Sequence, residues 1–140
     1  MNQKIGLLAL WTAVAGGLNL VWEILQLPLY AIYYETDLQA IAYAIAHCTL
    51  GDALIALSSY LLAAAATRSW HWPTDRPACG ATVAVATGLA YTAFSEWFNV
   101  SVRGSWAYTP AMPQLFGLGL LPLLQWLVLP LLGLFIFRAL

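Results

Sequence analysis

The chain has 140 residues, of which 62% are hydrophobic and 8% charged, with a formal net charge of −1. A soluble domain carries roughly 25% charged residues, so water alone cannot solvate this surface and the expected solvent is lipid. Five Lys and Arg leave no basic patch for nucleic acid. Two cysteines, Cys48 and Cys79, make no disulfide framework and read as small packing residues.

A spanning helix needs about 20 mostly apolar residues. Four stretches qualify, at 5–30, 39–66, 79–102 and 115–137. They predict an all-α membrane bundle of four helices, forming one domain over residues 1–140. The first stretch opens like a secretory leader, with Lys4, an apolar run and Ala13-Val14-Ala15. The run continues through Leu29, too long for a cleaved leader, so a retained helix is expected. It carries Ala15, Asn19 and Glu23 at steps of four. An acidic, aromatic link, Tyr33 to Asp37, leads into the second helix, where Ala44, Cys48, Asp52 and Ala56 repeat that spacing. His47 lies five residues from Asp52, about 140° around the helix, so the two cannot chelate one ion from a single face.

The link at 67–78 holds Arg68, His71, Pro73, Arg76 and Pro77, with His71 expected at an interface beside Trp70 and Trp72. The third helix then shows the longest stripe of small residues: Gly80, Ala84, Gly88 and Thr92, ending on Glu96. Small residues let membrane helices approach closely. Glu23, Asp52 and Glu96 each continue such a stripe, and three acids doing so predict a shared interior. Asn19, four before Glu23, and Asn99, three after Glu96, share a face with those acids and are expected to hydrogen-bond them.

Lys4, Arg68, Arg76 and Arg138 fall on one side of a four-span topology and only Arg103 on the other. Positive residues favour the cytoplasm, so both termini are expected there, in a bacterial inner membrane. Glu23 and Glu96 then lie about 10 Å below the outer end of their helices, at ~1.5 Å per residue. His47 sits at similar depth; Asp52 and Gln125 are nearer the middle. The predicted site is a polar pocket in the outer half. Glu96 and Glu23 are its candidate acid and base, Asp52 and His47 support them, and Asn19, Asn99, Trp106, Tyr108 and Gln125 line it. The alternative for each group is a neutral or hydrogen-bonded residue that only fixes helix packing. No HxxxH, ExxH or CxxC spacing is present, so neither a metal nor any other cofactor is expected.

The last third carries Gly104-Ser105-Trp106-Ala107-Tyr108, Met112-Pro113 and Gly119-Leu120-Leu121-Pro122-Leu123-Leu124-Gln125-Trp126, then Pro130. Pro122 and Pro130 would free the carbonyls of Leu118 and Trp126 and kink the helix. Over about 35 residues, Gly104 to Pro130, this pattern resembles the small lycopene cyclase domains and carotenoid hydratases. The resemblance implies a helical membrane protein doing acid chemistry on isoprenoid chains. Cyclases carry an acidic pair after that proline where this chain has Leu124 and Gln125, so Glu23 and Glu96 would have to supply the proton. Each half also runs outward to a Glu and returns through a polar group, Asp52 or Gln125, a faint sign of duplication.

Three functions fit these features. The leading one is a membrane enzyme, or a degenerate relative, acting on an apolar isoprenoid-type lipid. A non-catalytic subunit or assembly factor would use the polar groups to bind a partner membrane protein. A small proton-coupled carrier would use the acids as a relay, within a homo-oligomer.

Overall fold

The computed structural model describes residues 2–140. Helix α1 (Asn2–Gln26) ends where Pro28 follows, since the residue before a proline is pushed out of the α region. A single 3₁₀ turn at Leu27–Leu29 and a short α2 (Ile32–Glu35) make the link. The Asp37 side chain accepts from Ala40 N–H at 2.9 Å and caps α3 (Leu38–Thr67), satisfying an otherwise orphaned donor. A left-handed Arg68 (φ 55°) stops α3 by turning its N–H back onto Ala64 and Ala65. One turn, α4 (Trp72–Asp75), precedes α5 (Pro77–Glu96), with Pro77 at its first position, where no N–H is missed.

Among the described residues four helices are long and apolar enough to cross a membrane: Gln3–Leu29, Leu38–Thr67, Pro77–Val102 and Leu120–Ala139. They form a ring in which α1 packs on α3, α3 on α5, α5 on α6 (Leu120–Ala139), and α6 back on α1. Beyond Glu96 the third span continues as a π-helix, Trp97–Val102.

At the end away from this π-segment the bundle is close-packed and aromatic. Trp11 meets Trp72 edge-on at 5.1 Å and Phe137 at 6.0 Å. Its Nε1 donates to the Ala56 carbonyl at 3.1 Å, and Tyr60 donates to the Trp70 carbonyl at 2.6 Å. Trp72, next to the His71 expected at an interface, is thus buried core. Glycines admit the indoles: a Cβ on Gly80 would lie inside the ring of Trp72, and one on Gly88 inside that of Trp126. Every member of the stripe Gly80, Ala84, Gly88, Thr92 and Glu96 is buried.

The fourth helix differs from the expected 115–137. Residues Gln114–Leu115 (β1) and Leu118–Gly119 (β2) form an antiparallel hairpin instead. Its two turn residues, Phe116 (φ 53°) and Gly117 (φ 80°), both have positive φ, as a type I′ turn requires. Because α6 starts at Leu120, Pro122 falls in its first turn, where no intrahelical N–H bond is lost. The expected kink at Pro122 therefore does not arise, and the Leu118 carbonyl was never helical. Pro130 does lie inside α6 and leaves the Trp126 carbonyl without its helical donor.

Candidate functional site

A cavity of about 470 Å³ lies between the helices at the end bearing the π-segment and the hairpin. Glu23, His47, Asp52, Glu96, Asn99, Trp106 and Gln125 all line it, among apolar walls from Leu27, Ile55, Phe98 and Trp126. The walls reach exposed His47 on α3 and exposed Tyr91 and Phe94 on α5, so the cavity opens between those helices.

The carboxyls form two centres. In the first, the Gln125 amide nitrogen donates to Asn19 Oδ1 (2.7 Å) and Asp52 Oδ2 (2.9 Å) and stands 3.3 Å from Glu23 Oε1. Gln26 donates to the same Glu23 oxygen at 2.9 Å and is itself held by Trp22 Nε1 at 3.0 Å. Glu23 and Asp52 are within hydrogen-bonding reach of each other. In the second centre, Glu96 Oε2 accepts from Tyr108 at 2.5 Å and from Tyr30 at 3.2 Å. Gly119 N–H donates to the Tyr108 oxygen at 2.8 Å.

Two loops build the second centre. Ala31 N–H bonds the Ala107 carbonyl and Thr109 N–H the Leu29 carbonyl, both at 2.9 Å, which pairs Tyr30 with Tyr108 as an isolated β-bridge. Their rings lie 5.5 Å apart, with both hydroxyls on one carboxylate oxygen. Burial first, and then the neighbouring Glu96, push both phenols well above their ordinary range.

Placement departs from the sequence expectations at five points. Glu23 pairs with Asp52 rather than with Glu96, because α1 packs directly on α3 and not on α5. Asn99 does not bond Glu96; its amide donates to the Ser95 carbonyl four residues back at 2.9 Å, as Asn19 does to Ala15. Asn19 bonds the Ala15 carbonyl at 2.8 Å and reaches the acids only through Gln125; it lines a small void beside Trp11 and Trp126 rather than the cavity. Tyr108 stands behind Glu96, off the cavity wall. His47 stays on the exposed rim, stacked on Tyr43 at 5.8 Å, as its angle from Asp52 requires.

Two groups escaped the sequence reading. Gln26 lies three residues after Glu23 on the same face, a polar residue in an apolar run, and that was a usable signal. Tyr30 carried none, since it looked like an interfacial ring and gains its role from a bridge to a residue 78 positions away. Trp106 lines the cavity, and its buried Nε1 stands within reach of the Glu96 carboxyl without a well-formed hydrogen bond among the described residues. Among the described residues no three His, Cys, Asp or Glu side chains converge as a metal site would require. Comparison with protein families, with characterised proteins and with solved structures finds no match.

Proposed function

We propose that this chain is an integral membrane enzyme that admits an unsaturated apolar lipid, of isoprenoid type, and moves a proton on it. The observation that carries the reading is a single apolar-walled cavity onto which Glu23, Asp52 and Glu96 all open. Its volume suits a ligand, since binding pockets span about 300–1,000 Å³. Ionisable groups inside a membrane bundle are costly, and their usual justification is function. Protonation of a carbon–carbon double bond by one carboxyl, and removal of a proton from a nearby carbon by another, moves the double bond or closes a ring. Composition is unchanged. Glu96 is one centre and the Glu23–Asp52 pair the other, 

with Trp106 at the cavity wall.

In this reading both termini and the Arg68–Arg76 link face the cytoplasm of a bacterial inner membrane, and the cavity lies in the outer half. The opening between α3 and α5 faces lipid, the natural route for an apolar substrate. The second reading, a non-catalytic subunit, draws on the protein groups that hold Gln125 and Glu96 without any ligand.

The test is the lipid profile of isolated, non-growing membranes moved into heavy water, together with mass spectrometry of lipid that co-purifies in mild detergent. The enzyme reading expects deuterium on a carbon of one lipid species, lost in Glu96→Gln at unchanged protein abundance. Wild-type behaviour of Glu96→Gln combined with failure of Glu96→Ala, which strands the Tyr30 and Tyr108 hydroxyls, would leave only the packing role.

A further inference from the structure

The two phenols on Glu96 do more than satisfy it. Both donate to Oε2, from opposite loops, and neither contacts Oε1. A carboxylate oxygen offers about two lone-pair sites, so Oε2 is filled. Among the described residues no side chain forms a full hydrogen bond to Oε1, although Trp106 stands within reach of the same carboxyl, and Glu96 lines the cavity. The Tyr108 hydroxyl is fixed in turn. Its oxygen accepts from Gly119 N–H at 2.8 Å, which directs its own proton at Glu96. Gly119 also sits so close that a Cβ there would stand 3.0 Å from the Tyr108 ring.

We infer that Tyr30 and Tyr108 are positioning residues that reserve Glu96 Oε1 as the oxygen exchanging a proton with the cavity's occupant, with the Gln114–Gly119 hairpin setting the Tyr108 hydroxyl. The inference rests on the proposed proton-transfer function and adds which oxygen acts and what aims it. Near-attack geometry is where such positioning counts, because a bound substrate meets one oxygen at one angle.

The experiment uses the full chain in mild detergent, with ¹³C in the glutamate side-chain carboxyls. Glutamate occurs only at 23, 35 and 96, so the difference between wild type and Glu96→Gln isolates the Glu96 infrared band. A clamped carboxyl gives one narrow band. Tyr108→Phe and Tyr30→Phe should shift and broaden it, and Gly119→Ala, whose methyl meets the Tyr108 ring first, should shift it the same way by less. The second measurement is labelling by dicyclohexylcarbodiimide, an apolar reagent. Its nitrogen takes the carboxyl proton while its central carbon takes the carboxyl oxygen, giving an O-acylisourea. Freed from the phenols, either oxygen of Glu96 can attack, so labelling should rise about twofold in Tyr108→Phe while labelling of Glu23 stays unchanged.

An unchanged band and an unchanged labelling rate in both Phe variants would overturn the clamp. If Tyr108→Phe does not fold, Gly119→Ala and Tyr30→Phe carry the same test. Neither readout requires turnover. A band that responds as expected in a protein that transfers no deuterium to lipid would refute the enzyme reading and leave the clamp standing.

Discussion

Adding one methyl group at Gly88 should cost this bundle stability, and the size of the loss follows from what the methyl meets. A Cβ there would coincide with the indole of Trp126, a ring that is only 3% exposed and has nowhere to retreat. Overpacking of this kind typically costs about 1–3 kcal/mol. Against it stands the gain in helix propensity from Gly to Ala, about 1 kcal/mol. The overlap is with a buried ring rather than a flexible tip, so the upper half of the range applies, and the net loss should be about 1–2 kcal/mol. Gly17 is the control, because no atom lies within 4 Å of a Cβ placed there. Gly17→Ala should therefore be neutral or stabilise by up to about 1 kcal/mol. The assay is thermal unfolding in mild detergent, with Trp126→Leu added to make a double-mutant cycle. The smaller side chain should restore much of what Gly88→Ala loses, giving a coupling of the size expected for residues in contact. A Gly88→Ala protein that melts at or above wild type, or a cycle with no coupling, would refute the close approach of α5 to α6.

Reporter fusions at Asp75 and Tyr108 should give opposite signals, with Asp75 cytoplasmic; matching signals would discard the proposed topology. Gln125→Leu should destabilise the chain by about 1–3 kcal/mol, because Asn19 and Asp52 each lose a donor from its amide; denaturant titration in detergent checks this, and a neutral result would mean another donor takes its place. The raised phenols of Tyr30 and Tyr108 make stability depend on high pH. Above the unfolded tyrosine value of about 10, the unfolded chain loses protons that the folded chain keeps. Stability should therefore hold below about pH 10 and fall as pH rises beyond it. Tyr108→Phe should flatten that decline, and an identical pH profile in the variant would contradict it.

The spans were legible because they depend on local composition: an apolar run between Asp37 and Arg68, or between Pro77 and the polar loop, leaves little choice of structure. The small-residue stripe on the third helix was legible for a related reason, since steps of four keep each member within about 40° of the last, so the stripe winds slowly around the helix from Gly80 to Glu96. Pairings across the bundle were not. Asn99 sits at a good helical spacing from Glu96, yet its amide takes the local backbone carbonyl of Ser95 instead. Nothing in Trp97–Val102 announces the change of winding to a π-helix either. The hairpin was hidden because Gln114–Gly119 merges into an apolar run, and its turn is set by Phe116 and Gly117 rather than by an Asn-Gly pair. Glu23 and Asp52 were both singled out, but which acid meets which depends on helix neighbours around the ring, and spacing along the chain does not encode that order.

The cavity's position follows from one helix that changes character along its length. Up to Gly88, α5 presents glycine to two buried indoles, Trp72 and Trp126, so its neighbours close tightly upon it. Past Gly88 the same face offers Thr92 and then Glu96, which are larger and polar, and the backbone immediately widens into a π-helix. Wider π-turns recur at functional sites in helices, and here the widening begins one residue after the carboxyl that two loops converge to hold. The packed end supplies rigidity, with Trp11, Tyr60, Trp72 and Phe137 locking all four spans. The opened end then needs no close helix contact of its own. Loop-to-loop bonds from Ala31 to Ala107 and from Thr109 to Leu29 tie it together instead. That division lets a bundle of 140 residues keep a cavity without losing its fold. It also leaves Glu96 and the Glu23–Asp52 pair lining one cavity that reaches the surface between α3 and α5.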